Sequence, residues 1–224
     1  MLNNSIEIIL NGEELILLPQ KAIYIKSESS LLLSDIHLGK TGHFRNAGIA
    51  LPPGLAYADF EILDELLFES DLKIEKIIVL GDMFHAERNV DWLIFEEWRN
   101  LRSEIHIQLI KGNHDKLSNF HYESLGIEVF DSAVLNKFLL VHNYKDAEST
   151  EGLYKICGHI HPAVRIHGKG RQGLTLPCFY FGAEFGILPA FGSFTGKHII
   201  RPEEKDIVFV IAGKGHEKKV LQVS

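Results

Sequence analysis

Side chains that can bind metal ions occur at five places along the chain, each directly after a short strand-like run. These are Asp35-Ile36-His37, Gly81-Asp82, Gly112-Asn113-His114-Asp115, His142 and Gly158-His159-Ile160-His161. Carboxylate, amide and imidazole ligands without thiolates favour manganese, iron, zinc or similar ions and argue against a structural zinc site. In the Asp-x-His and His-x-His pairs, alternate residues of an extended segment point the same way, so both members of a pair can face one site.

The runs that precede these residues predict a sheet that would bring them together. Residues 31–33 are apolar without a polar face, as in a strand covered on both sides, and residues 77–80 and 105–110 predict two further strands. Helices are predicted over residues 55–70 and 91–101. This alternation favours a largely parallel sheet. Ligands bind beyond the carboxyl ends of such strands, so the five groups are expected to meet at one rim.

The remaining strands predict a hairpin at the start and a second sheet in the second half. The hairpin joins residues 6–10 and 14–18 around Asn11-Gly12, and a third run covers residues 22–26. The second-half runs are separated by glycine, proline and charged turns, and lie at 138–141, 154–157, 163–166, 178–181 and 207–211. We expect a mostly antiparallel second sheet packed on the first. Without repeats or long linkers, residues 1–224 are predicted to form one domain.

The composition argues against a module that only binds nucleic acid. The 224 residues are 46% apolar and 24% charged, with a net charge of −7, whereas modules that passively bind long nucleic acids are usually basic. An acidic balance says less about an enzyme whose site holds divalent metals, because such ions reverse the local field. With no membrane-length apolar run, no signal peptide, and Cys157 and Cys178 interpreted as reduced core thiols, we expect a cytoplasmic protein without membrane contact.

The order of the five groups, from Asp35 to His161, resembles the calcineurin-like metallophosphoesterase superfamily. The resemblance implies an α/β (α+β) fold, a four-layer sandwich of two mixed β-sheets flanked by helices. It also implies two divalent metal ions. The first would be held by Asp35, His37, Asp82 and His161, and the second by Asp82, Asn113, His142 and His159, with Asp82 bridging. His114 matches the family's histidine that contacts the scissile phosphate.

The chemistry expected of such a site is hydrolysis of a phosphate ester. Two cations about 3.5–4 Å apart bind phosphate oxygens and lower the pKa of a bridging water, whose hydroxide attacks phosphorus in line with the leaving oxygen. The cations also neutralise the charge that builds on the equatorial oxygens. His114 would act as a general acid or an electrostatic donor.

His85 departs from a common form of the family pattern. Many members carry aspartate three residues after the bridging aspartate, where it orients the catalytic histidine, and this chain has His85 there. Some nuclease branches also carry histidine at that position. The prediction is a second catalytic residue that positions His114 or touches the substrate. A solvated histidine just past a strand is the alternative interpretation.

A narrower resemblance covers segments outside the metal ligands. Residues 34–40, the stretch from Gly42-His-Phe-Arg45 to Pro52-Pro53, and residues 188–196 are similar to the bacterial ligase-associated DNA damage response endonuclease family, PdeM. This implies Mn²⁺-dependent phosphodiester cleavage, with iron, zinc, nickel or cobalt as alternative metals. It further implies single-stranded or damaged DNA as substrate, a role in DNA repair, and a DNA ligase and a helicase as functional partners.

Four basic residues are candidates for substrate contact. Lys40 and Arg45 closely follow the first metal motif, where His43 and Phe44 offer an aromatic face to a base. Arg165 and Arg171 are the first and last residues of a basic, glycine-containing run just after the last ligand. For each, a solvated loop is the simpler alternative.

Two other functions stay open at this level. Members of the superfamily share their metal ligands across many substrates, so the chain could instead cleave a small phosphodiester, such as a cyclic nucleotide or a nucleotide-linked lipid precursor. A non-catalytic metal-binding scaffold is the third alternative. Scaffolds of this kind usually lack ligands, whereas every proposed ligand and His114 are present in this chain.

Overall fold

The computed structural model describes residues 4–40, 57–84, 90–168 and 173–223. In these residues the first sheet has seven strands that lie side by side in chain order. These are β1 (Ile6–Leu10), β2 (Glu13–Leu18), β3 (Ala22–Ile25), β4 (Ser30–Leu33), β5 (Lys76–Val79), β6 (His106–Ile110) and β7 (Ile127–Phe130). Strands β1 to β4 pair antiparallel, and β4 to β7 pair parallel.

Within the described ranges, the second sheet has nine strands. They are β8 (Ala133–Leu135), β9 (Phe138–Leu140), β10 (Tyr154–Cys157), β11 (Pro162–His167), β12 (Gly173–Phe181), β13 (Phe185–Ile187), β14 (His198–Ile199), β15 (Ile207–Ala212) and β16 (Lys219–Gln222). Their order is β14-β11-β12-β13-β10-β9-β8, with β15 and β16 extending from β12. Strand β10 runs parallel to both β9 and β13, so this sheet is mixed.

Three α-helices lie within the described residues. Helix α1 (Ala58–Asp64) continues as a π-helical turn over Glu65–Glu69, α2 spans Val90–Asn100, and α3 spans Asn119–Glu123. No helix in the described part of the chain has both the length and the apolar character needed to cross a membrane.

The central strands are buried on both faces. Leu32 and Ile78 face the second sheet and pack in one core with Phe179, whereas Leu31 and Val79 face the helices. Successive side chains of a strand point to opposite faces, so one apolar run serves two cores. The first sheet is therefore sandwiched between the helices and the second sheet.

The predicted sandwich of two mixed sheets with helices is confirmed, and so are the N-terminal hairpin and the three central strands. The parallel part of the first sheet is confined to β4–β7. Helix α1 begins at Ala58, and residues 55–56 of the predicted helix lie outside the described residues. Strand β12 begins at Gly173 rather than at residue 178. Cys157 and Cys178 are buried, as expected.

The strand ends define one rim of the sandwich. Strands β4, β5 and β6 end directly before Ser34-Asp35, Leu80-Gly81-Asp82 and Lys111-Gly112-Asn113, and β9 and β10 end just before His142 and Gly158-His159. The five groups picked out in the sequence therefore follow neighbouring strands of the two sheets.

Candidate metal centre

Two groups of potential metal ligands meet at this rim. One consists of Asp35, His37 and His161, and the other of Asp82, His142 and His159. Within each group, one ligand atom from every residue lies within 4.8 Å of the others. Each group combines one buried carboxylate with two imidazoles, a donor set suited to manganese, iron or zinc.

Asp82 lies between the two groups. Its Oδ2 is 3.8 Å from Nε2 of His37 in the first group, and its Oδ1 is 3.5 Å from Nε2 of His142 in the second. The carboxylate is buried, with its two oxygens directed to opposite sides. This is the position that a ligand shared by two ions requires.

His142 presents the correct ring nitrogen to the second group. Its Nδ1 lies 2.9 Å from the Leu80 carbonyl oxygen, which can only accept, so Nδ1 carries the proton of the neutral ring. Its Nε2 lone pair then faces Asn113 Oδ1 at 3.0 Å and His159 Nδ1 at 3.1 Å. A second hydrogen bond that fixes the tautomer is the usual arrangement of a metal-binding histidine. Asn113 joins the second group through its amide oxygen.

Five of the candidate ligands have left-handed backbone conformations. Their φ values are 52° at Asp35, 54° at His37, 51° at Asp82, 67° at His159 and 55° at His161. Residues other than glycine rarely adopt such angles, and each instance costs of order 1–3 kcal/mol, so they persist only where the surroundings enforce them. Clusters of this kind are typical of functional sites.

Hydrogen bonds between the loops enforce these conformations. The backbone N–H of Asp35 donates to Gly81 O over 3.1 Å, and that of His37 donates to Asp82 O over 2.9 Å. The backbone N–H of His159 donates to Asp35 Oδ2 over 2.9 Å, which joins the two ligand groups. The rim is therefore held by its own backbone as well as by ligand side chains.

This environment lowers the pKa of two titratable groups, Asp35 and His159. Burial raises the pKa of Asp35, but hydrogen bonding and positive charge from His161 outweigh it, so the carboxyl pKa lies below its ordinary value. Burial, and then the neighbouring His142, lower the pKa of His159. Both shifts favour the states that bind metals, ionised carboxylate and neutral imidazole.

His114 lies beside the first group. Its backbone N–H donates to Asp82 Oδ1 over 2.8 Å, and its ring centroid is 5.5 Å from that of His37. The side chain is half-buried, so it stays reachable from solvent. This location is compatible with a contact to a bound phosphate.

Asp115 is a supporting residue that the sequence argument did not single out. It is buried and accepts hydrogen bonds from the backbone N–H groups of Phe84 and Gly112, at 3.0 and 2.9 Å, and from the Tyr122 hydroxyl at 3.2 Å. Burial raises its pKa, and the hydrogen bonds offset part of that rise. Asp115 thus ties the Asp82 loop to the Asn113 loop. Its only sequence signal was its place after Asn113-His114.

Of the other predicted site residues, Lys40 and Arg165 lie within the described part of the chain. Lys40 is half-buried, and burial lowers the pKa of its ammonium group although the charge of Asp82 opposes this. Arg165 lies on β11 and packs against Gly173 of the adjoining strand. His85, Arg45 and Arg171 lie outside the described residues, as do His43 and Phe44.

A family comparison identifies the class of protein. The model of the calcineurin-like phosphoesterases matches residues 30–182, a range that contains all seven candidate ligands and His114. The match covers more than half of the chain, and the chain therefore belongs to this family of metallophosphoesterases. Members use a dinuclear metal site, in agreement with the two ligand groups.

Two solved structures resemble the chain. Nuclease MPE from Pseudomonas putida is 33% identical, with a TM-score of 0.78 over 92% of this chain and 96% of that one. AQ665 from Aquifex aeolicus, a protein of unknown function, is 17% identical, with a TM-score of 0.41 over 59% of this chain and 78% of that one. A search of curated proteins gives no match.

Proposed function

We propose that this chain is a metal-dependent phosphodiesterase that acts as a DNA endonuclease. The observation that carries the proposal is the pair of ligand groups on either side of Asp82, in a chain that is 33% identical to a nuclease over 92% of its length. The ligand groups support hydrolysis of a phosphodiester. The identity to a nuclease favours a nucleic acid as substrate.

The proposed ligand set is the one that the sequence suggested. Asp35, His37 and His161 would hold one ion, His142, His159 and Asn113 the other, and Asp82 both. Mn²⁺ is the proposed metal, because carboxylate, amide and imidazole donors without thiolate suit it, with iron, zinc, nickel or cobalt as alternatives. Two such ions would polarise the phosphate oxygens and supply a nucleophilic, water-derived hydroxide at neutral pH.

The side chains around the ions would orient the substrate. His114, held by Asp82 through its backbone, would donate a hydrogen bond to the scissile phosphate and a proton to the departing oxygen. Lys40 would add positive charge near the first group. His85, Arg45, Arg165 and Arg171 are kept as proposed contacts, with His85 assigned to positioning His114 or substrate.

The proposal also includes the natural substrate, the partner proteins and the cellular location. Single-stranded or damaged DNA is the expected substrate, with a DNA ligase and a helicase acting in the same repair process in the cytoplasm. Residues 1–224 are proposed to work as one domain. The substrate and repair assignments rest on the resemblance of residues 34–40, 42–53 and 188–196 to the PdeM family and on the nuclease relative, whereas the cellular location and the single domain rest on composition and on the lack of repeats and long linkers.

A small-molecule phosphodiesterase is the second candidate. A recess of about 380 Å³ lies beside the second ligand group, bordered by Lys111, Asn113, His142 and His159. Ligand sites for small molecules start at roughly 300 Å³, so a nucleotide diester would fit there. The net charge of −7 also suits a small substrate better than a long polyanion.

A matrix of metals against substrates would test the proposal. The purified protein is stripped with chelator, reloaded with each metal, and assayed on circular single-stranded DNA, RNA, cyclic nucleotides and bis(p-nitrophenyl) phosphate. We expect Mn²⁺ to support nicking of the circle, with Asp82→Asn as the inactive control. Fast turnover of a nucleotide diester without any nicking would refute the endonuclease proposal and support a small-molecule phosphodiesterase.

A further inference from the structure

The loop formed by residues 188–196 lies directly against the first metal loop. The backbone N–H of Phe191 donates to Ser34 O over 2.8 Å, and that of Gly192 donates to Asp35 O over 3.1 Å. A Cβ on Gly192 would come within 2.1 Å of Ile36 O, so only glycine allows this approach. The position of the loop is therefore fixed relative to Asp35.

A lysine and an aspartate from other segments of the chain also hold the loop of residues 188–196. Lys21 Nζ donates to Phe191 O at 3.1 Å and lies 3.5 Å from Gly192 O. The buried carboxylate of Asp59 accepts from the backbone N–H of Ser193 at 3.1 Å and from its hydroxyl at 2.7 Å. Burial lowers the pKa of Lys21 to about 8, and the charge of Asp59 opposes this decrease. Lys21 thus stays largely cationic at neutral pH.

A small cavity opens between this loop and the metal centre. Its volume is about 50 Å³, and its lining includes Lys21, Lys197, Ser193, Thr195 and the candidate ligand His161. One water needs roughly 10–15 Å³ of such space, so the cavity has room for a few oxygen-sized atoms but not for a nucleobase. His161, in the wall of the cavity, is also a candidate ligand of the first group, so the cavity lies next to that group.

Lys197, rather than the two hydroxyls, has hydrogen-bond donors available for an anion there. Ser193 and Thr195 donate their hydroxyls within the protein, to Asp59 and to Gly192 O. Lys197 is exposed and donates to Thr175 O over 3.3 Å, which uses one of the three N–H groups of its ammonium. Its head group is therefore kept near the cavity with N–H groups to spare.

We propose that this cavity is a subsite for a second phosphate group of the substrate, next to the one that is hydrolysed. Lys197 and Lys21 supply its positive charge, and the fixed loop sets its distance from the first ligand group. The inference deepens the proposed function, on which it rests, because a polynucleotide carries another phosphate on either side of each scissile one. A simple aryl diester carries none.

Lys197 is the residue to test, because Lys21 also supports the loop. The variant Lys197→Ala is compared with Lys214→Ala, which removes an exposed lysine from the turn after β15. The substrates are thymidine 5′-(p-nitrophenyl phosphate), the same ester with a 3′-phosphate, and thymidine 3′-(p-nitrophenyl phosphate) with and without a 5′-phosphate. For at least one doubly phosphorylated ester, Lys197→Ala should raise KM roughly tenfold, as expected for loss of one charged hydrogen bond. For the two simple esters, Lys197→Ala should leave KM unchanged. Lys214→Ala should leave KM unchanged for all four esters.

Binding gives a readout without turnover. In EDTA, a fluorescent oligothymidylate should bind Lys197→Ala more weakly than wild type, with a slope of log K against log salt lower by about one. Equal behaviour of Lys197→Ala and Lys214→Ala in both assays would overturn the subsite. If wild type hydrolyses the esters without nicking DNA, the endonuclease proposal fails, while the ester comparison still decides on the subsite.

Discussion

The backbone N–H of His114 donates a hydrogen bond to Asp82 Oδ1, over a distance of 2.8 Å. The residue that we propose as the contact to the scissile phosphate is thus held by the carboxylate that lies between the two ligand groups. The contact runs through the backbone, so it survives any change of the His114 side chain except proline. Metal binding and the function of the His114 ring can therefore be separated by mutation.

We expect His114→Ala to keep both metal ions and to lose most activity. General acid catalysis typically contributes 10²–10⁴-fold, so kcat for a DNA phosphodiester, whose departing sugar oxygen needs a proton, should fall by roughly that factor. Metal content by plasma mass spectrometry and kcat on the same sample would measure both effects. His106→Ala is the matched control, because His106 is exposed at the opposite end of β6. Unchanged turnover would refute the catalytic role, and loss of an ion would make His114 a ligand.

Gly81 lets the first sheet approach His142. A Cβ at Gly81 would lie 2.2 Å from His142 Nδ1, the atom that faces Leu80 O. Gly81→Ala should therefore displace the imidazole and weaken metal binding by about 10–100-fold, the usual effect of disturbing the partner of a ligand. Isothermal titration with Mn²⁺ after removal of bound metal would measure the change.

Gly152 provides the control for backbone strain. Both glycines have a φ of 79°, but a Cβ at Gly152 meets nothing within 4 Å. The left-handed backbone alone should thus cost both alanine variants a similar amount of stability, of order 1–2 kcal/mol, and Gly81→Ala should lose more because of its contact with His142. Only Gly81→Ala should also lose Mn²⁺ affinity. Equal affinities in the two variants would contradict the proposed steric contact with His142.

The sequence was sufficient to predict the rim because each ligand group follows an apolar run of its own. Leu31–Leu33 and the equivalent runs before Asp82 and Asn113 are local signals, and parallel pairing then brings their ends together. Local patterns carry no information on the left-handed φ of Asp35 or His161, which depends on contacts with other loops. The strain at the site therefore emerged only with the fold.

Contacts between distant segments were also beyond local patterns. Lys21 reaches Phe191 across 170 positions, and Asp59 reaches Ser193 across 134. Strand β12 was predicted too short because residues 173–177 include Gly173 and Pro177, which are more typical of turns. These residues form a strand by pairing with β11, a contact that no local pattern shows. Three-residue β13 is similarly defined by its neighbours, β10 and β12.

The pKa of Lys21 makes a prediction about stability and pH. Burial lowers this pKa to about 8 in the folded chain, whereas the unfolded chain keeps the ordinary 10.5. Between these values the unfolded state binds more protons, so the folding stability contributed by Lys21 rises with pH. Below pH 8 both states are protonated, and the contribution is constant at its least favourable value.

The free energy of unfolding of wild type should therefore increase relative to that of Lys21→Met as the pH rises from 8 to 10.5. Urea titrations in EDTA at several pH values would measure this difference without interference from bound metal. Lys214→Met, at an exposed turn, should show no such trend. If Lys21→Met does not fold, Lys21→Arg replaces it, because its guanidinium stays charged over the whole range. A flat difference from pH 8 to 10.5 would mean that Lys21 keeps its proton in the fold, held by Asp59 and the two loop carbonyls more strongly than burial opposes it.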